Sequence, residues 1–188
     1  NGIARSAGRL KQGIVLCPHY YPKVDTPGAY DNATGVAAIL TLAQLLSQVP
    51  HRYSLEFLAF SGEEIYGLGD MTYAAQAGVD FPSILTALNF DGIGPLLGSN
   101  AIACFKTSPA YETLVDQASK NYPGIARVEP WPASDHYIFY SNGVPSLAFG
   151  SAGIRDIYHT PDDTLAWLSP EKITEAIHLA ADLVRALD

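Results

Sequence analysis

The sequence predicts an α/β fold: a three-layer sandwich with a central mixed, mostly parallel sheet and helices on both faces. Three observations predict it. Apolar runs alternate with helix-period patterns, several runs are apolar at almost every position, and polar residues recur where the runs end. A strand that is apolar on both sides needs cover on both sides, and helices above and below a sheet supply it. The 188 residues suit one domain, 1–188, with room for a proper core.

Taken in order, "GIVLCPHYY" is a buried strand that opens into a polar site at His19. "TPGAY" carries turn chemistry in Pro27 and Gly28. From Ala33 the pattern turns helical, with Val36, Ile39, Leu40, Ala43 and Leu46 spaced as one face, and Pro50 stops it. A strand follows over Ser54–Phe60, then a helix around Met71–Gln76 ending at Gly78. "SILTALNFDGIG" is a further apolar run closed by an Asp and glycines, and "AIACF" reads as an adjoining strand. Ser108 and Pro109 open a helix, "GVPSLAFG" is a buried strand, and Ser169 caps a closing amphipathic helix.

Composition narrows the function. Hydrophobic content of 48% and charged content of 16% describe a globular chain. A net charge of −8 without a Lys/Arg run argues against nucleic acid and against an anionic membrane as partners. There is no apolar span of about 18 residues, so no membrane helix is expected. Cys17 and Cys104 lie far apart on strand-like segments and read as buried free thiols. The start, "NGIARSAGRL", has no initiator Met and no signal-like stretch, so it assigns no compartment; nothing in the sequence sets the oligomeric state.

In open α/β sheets, sites form at strand ends. His19, Glu63, Glu64, Asp91 and His159 all fall there or in the loops that follow, and Asp31 lies in the turn between. Imidazole and carboxylate are ligands that zinc accepts, and no cysteine is among them. Two His and three carboxylates suffice for two zinc ions about 3.5–4 Å apart, because one carboxylate can bridge. A fourth carboxylate is then left over. Adjacent residues leaving a strand point different ways, so one member of the Glu63–Glu64 pair can bind metal while the other accepts a proton from water.

"PHYYPKVDTPGAYDNATGVA", "FLAFSGEEIYGLGD", "LNFDGIG", "SDHYIFYSNGVPSLAF" and "YHTPDDT" resemble, in order, the motifs of the dizinc aminopeptidase family, metallopeptidase family 28. The resemblance runs from about Gly13 to the last helix. It implies two zinc ions with Asp31 bridging, His19 and Asp91 on one, Glu64 and His159 on the other. It further implies Glu63 as general base and Tyr158 as a donor to the oxyanion of the tetrahedral intermediate. Asp135 and His136 would lie near the pocket without binding metal, and Asp163 would anchor the loop bearing His159. His51 and His178 match no motif and read as surface or helix-face residues.

The chain departs from the family pattern in three places. The usual H-x-D at the first ligand here ends in Tyr21, so a backbone carbonyl, Tyr21 itself or Asp25 must support the outer nitrogen of His19. Such support is typically worth about 10–100-fold in metal affinity or activity. Only eighteen residues precede His19, which implies a compact version or a missing N-terminal segment. Tyr66 replaces a small residue after the Glu pair. The leading expectation is a zinc exopeptidase, an aminopeptidase acting on a peptide or aminoacyl substrate. A carboxypeptidase or amino-acid deacylase would use the same two metals and an Arg, either Arg127 or Arg155. A noncatalytic binding module of the same fold is the third reading, and Tyr21 is its best support.

Overall fold

The computed structural model describes residues 1–76, 78–153 and 157–188. Its strands are β1 (Gly2–Ser6), β2 (Leu10–Cys17), β3 (Tyr53–Ala59), β4 (Ile84–Phe90), β5 (Ser99–Phe105), β6 (Ile125–Arg127) and β7 (Ser146–Ala152). They form one sheet in the order β1-β3-β2-β4-β7-β5-β6. The central strands β3, β2, β4 and β7 run parallel. β1 joins β3 and β5 joins β7 antiparallel, so the sheet is mixed and mostly parallel, as the sequence predicts.

The helices are α1 (Thr34–Leu46), α2 (Leu68–Ala75), α3 (Pro109–Ser119), α4 (His136–Ser141) and α5 (Pro170–Leu187). Alternate strand residues feed two cores. Ile14, Leu16, Leu88, Phe90, Leu147 and Phe149 pack with α1, α3 and α5 on one face. Val15, Cys17, Leu58 and Ala87 pack with Tyr73 of α2 and Phe139 of α4 on the other. Phe90 and Phe149 are fully buried and stack at 4.8 Å, each contributing about 1.5–3 kcal/mol through burial. Ser108 and Ser169 cap α3 and α5 by accepting from the amides of Tyr111 and Lys172. Both cysteines are free and buried. Among the described residues no helix is long and apolar enough to cross a membrane.

Two local expectations need correction. The buried stripe of α1 runs through Ala38, Ile39, Leu42 and Leu46, while Leu40 is exposed. The α5 packing selects the i, i+3, i+4 set that starts at Gly35, and Leu40 lies off it. His51 is not a surface residue: it is buried, with Nε2 2.6 Å from the Leu46 carbonyl and Nδ1 3.6 Å from Asp188. It satisfies the end of α1 where the last residue of the chain folds back. His178 is exposed on α5.

Candidate active site

The site lies across the C-terminal ends of β3, β2, β4 and β7. His19 follows β2, Glu63 and Glu64 follow β3, Asp91 directly follows β4, and His159 is in the loop beyond β7. Asp31 comes from the irregular turn Ala29–Ala33 that leads into α1, where the Asp31–Asn32 peptide is cis. Asn32 pins that turn to the end of β4: its Nδ2 donates to the Phe90 carbonyl, and its Oδ1 accepts from Gly35 and Gly92. Asp163 braces it from the other side, accepting from the amides of Tyr30 at 2.6 Å and Asp31 at 3.0 Å. Asp163 therefore ties the His159 loop to the Asp31 turn.

The carboxylates and imidazoles gather into two groups that share Asp31: His19, Asp31 and Asp91, and Asp31, Glu64 and His159. His19 Nε2 lies 3.1 Å from Asp31 Oδ1 and 3.4 Å from Asp91 Oδ1. His159 Nε2 lies 3.0 Å from Asp31 Oδ2 and 2.6 Å from Glu64 Oε1. Asp31 thus offers one oxygen to each group. Asp31 Oδ1 and Glu64 Oε1 are buried yet have no well-directed hydrogen-bond partner among the described residues. Close approach without hydrogen-bond alignment is what donors aimed at a common cation produce, and the all-N/O donor set suits zinc.

The outer nitrogens differ in support. His19 Nδ1 is 3.2 Å from the Tyr21 carbonyl, so the backbone supplies the acceptor that the Tyr21 side chain replaces in the motif. His159 Nδ1 faces Lys23 Nζ at 3.4 Å. Ser134 accepts from Asn89 at 2.8 Å and, with His19, contributes to keeping the Asp91 carboxyl below its ordinary value. Asn89 also meets His136 Nδ1, while His136 Nε2 donates to the Trp131 carbonyl, an arrangement for a neutral ring. Burial lowers the His136 pKa in the same sense. Among the described residues neither Asp135 nor His136 joins a candidate metal group. Asp135 is fully buried, both its oxygens lack a hydrogen-bond partner among the described residues, and burial holds its carboxyl well above the usual range. Ser134, Asn89 and Asn32 escaped the sequence reading because a Ser or Asn beside a ligand carries no distinctive spacing.

Burial, then the Asp91 charge, pushes Glu63 up to about 7 in the absence of metal. Burial and Asp31 raise Glu64, whereas His19 holds Asp91 below its ordinary value against burial. Burial alone would lower His19, but Asp31 and Asp91 outweigh it and push the ring up to about 12. Below that value the metal-free ring carries a proton that a metal ion must displace. Zinc affinity is therefore expected to rise between about pH 6 and about pH 8, with about one proton released for His19. Calorimetry in two buffers of different ionisation heat measures it; a pH-independent affinity would contradict it.

These residues open on a cavity of 420 Å³, whose lining also includes Tyr30, Gly92, Trp131, Gly150, Ser151 and Tyr158. Among the described residues no Arg or Lys lines it. Arg127 instead sits on β6, paired with Glu112, and Arg155 lies outside the described residues.

The family model described as Peptidase family M28 matches residues 1–184. The chain belongs to that family. "Aminopeptidase YwaD" of Bacillus subtilis is 26% identical to this M28 chain, over 98% of the chain and 42% of the relative. The solved zinc aminopeptidase BSAP from Bacillus subtilis shares its fold with a TM-score of 0.87 at 22% identity, covering 98% of this chain and 49% of that one. An Acidobacteriales bacterium glutaminyl cyclase shares the fold at a TM-score of 0.82 and 24% identity, covering 98% of this chain and 72% of that one. The chain spans less than half the length of the two aminopeptidases. Two zinc ions suit an M28 site built from two such groups.

Proposed function

We propose that this M28 chain is the catalytic part of a zinc-dependent aminopeptidase that releases N-terminal residues from peptides. The observation that carries the proposal is the shared Asp31, with one oxygen toward each His-containing group and Glu63 beside them in the same cavity. His19 and Asp91 would hold one zinc, Glu64 and His159 the other, with Asp31 between. When bound, the pair supplies Lewis acidity at the substrate carbonyl and acidifies the attacking water.

The chain's own groups do the rest. Glu63 takes the proton from water and returns it to the leaving amine nitrogen. Tyr158 is half-exposed beside His159, with its ring 4.9 Å from the imidazole, and its hydroxyl serves the developing oxyanion. Among the described residues no Arg or Lys lines the cavity to pair with a substrate's C-terminal carboxylate, which favours a substrate read from its N-terminus. That balance weighs against the carboxypeptidase and deacylase readings. The assembly of all five metal-binding side chains weighs against a noncatalytic module.

The fold likeness to glutaminyl cyclases supports a second reading, in which the same site cyclises an N-terminal Gln. A panel of aminoacyl p-nitroanilides with and without chelator, with an N-terminal Gln peptide alongside, tests both. Chelator-sensitive release of p-nitroaniline is expected. Failure with every aminoacyl substrate in zinc-loaded protein would exclude the aminopeptidase, and ammonia release without peptide cleavage would assign the cyclase.

A further inference from the structure

Tyr30 and Ser151 form a feature that neither the metal groups nor the proton transfer uses. The Tyr30 ring lies so close over Gly92 that a Cβ there would come 2.5 Å from its hydroxyl oxygen. Gly92 also adopts a φ of +68°, so the position is closed to a side chain on two counts. The Ser151 hydroxyl donates to the Gly92 carbonyl at 2.6 Å, and the Tyr30 hydroxyl sits over the same glycine. Two hydroxyls from the Asp31 turn and from β7 therefore converge on the residue after Asp91.

Counting hydrogens gives this corner its chemistry. Ser151 spends its one hydrogen on Gly92 and keeps its lone pairs, while the Tyr30 hydroxyl keeps a hydrogen and lone pairs. Both residues line the cavity together with the Asp31 and Asp91 carboxylates, so acceptors outnumber donors at this corner. Tyr30 is buried, whereas Tyr158 and His159, which line the same cavity, are exposed, so Tyr30 marks the more enclosed end. An exopeptidase directs the released residue into the closed end and the remaining peptide toward the open one.

We propose that the Tyr30–Ser151 pair is the specificity-determining floor for the released residue, selecting N-terminal side chains that carry a hydrogen-bond donor over aliphatic isosteres. Trp131, which lies against Gly150 beside Ser151, and the Tyr30 ring both line the cavity, so a side chain seated there meets aromatic surface as well as hydroxyls. A site that pairs a polar group discriminates against an isostere that leaves it unpaired, and carboxylate-bearing side chains meet further repulsion. The proposal rests on the aminopeptidase reading.

The test uses isosteric pairs of p-nitroanilides, threonyl/valyl, asparaginyl/leucyl and glutaminyl/methionyl, on zinc-loaded wild type, Tyr30→Phe and Ser151→Ala. In at least one pair the polar-to-apolar ratio of kcat/KM is expected to fall about 10-fold in each variant, mainly through KM. Calorimetric binding of free L-asparagine and L-leucine gives a second readout should a variant lose turnover, and asparagine binding alone is expected to weaken. Ratios within about twofold of wild type in all pairs, with hydrolysis intact, would overturn the floor while leaving the aminopeptidase reading standing. A wild type that hydrolyses none of the substrates would overturn both.

Discussion

Glu63→Gln is expected to lower hydrolysis by at least about 10²-fold while leaving two zinc ions bound. The glutamine keeps the shape and a hydrogen-bonding oxygen but cannot take a proton from water. Glu63 lines the cavity and belongs to neither metal group, so its loss removes a proton acceptor and no metal donor. The charges around it support the role. Without metal, burial and its carboxylate neighbours push it up to about 7, and cations among those carboxylates would favour its ionised form at neutral pH. The measurement is kcat/KM beside metal content by atomic absorption. Loss of zinc together with activity would show that Glu63 holds metal.

Glu64→Ala is expected to do the opposite: it empties the His159-side position first and loses activity as a consequence. Glu64 Oε1 lies 2.6 Å from His159 Nε2, and both belong to the group that shares Asp31 Oδ2. Removing a direct donor should cost more than the roughly 10–100-fold typical of a supporting contact. A zinc titration followed by calorimetry should show one high-affinity position remaining where wild type has two. Excess zinc should restore part of the Glu64→Ala activity and none of the Glu63→Gln activity. Identical behaviour of the two variants would remove the division of labour between adjacent glutamates.

The contrast between these neighbours shows what a sequence can carry. Adjacent carboxylates at a strand end announce that two directions are available, but which one meets the second His depends on the register of β3 beside β2. That register pairs Leu16 with Phe57 and brings His19 alongside Phe60, one residue before the loop carrying the glutamates.

The sequence by itself determined the alternation of strands and helices, the mixed, mostly parallel sheet and the membership of His19, Asp31, Glu64, Asp91 and His159 in one ordered motif set. These are legible because periodicity and motif order are local or one-dimensional properties. It left β1, β6 and α4 unseen, since an exposed edge strand, a three-residue strand and a six-residue helix carry too few residues for a pattern. It also placed His51 on the surface, because burial there depends on a contact with Asp188, 137 residues away in the chain.

Only the tertiary structure decided how the candidate ligand set is supported. The Tyr21 carbonyl stands behind His19, Asp163 holds the Asp31 turn, and the Tyr30 and Ser151 hydroxyls meet over Gly92. Backbone carbonyls have no signature in sequence, and a hydroxyl has a direction only once its neighbours fix where its single hydrogen goes. The chemistry of the centre is written in residue types; its support and the shape of its closed end exist only where distant segments meet.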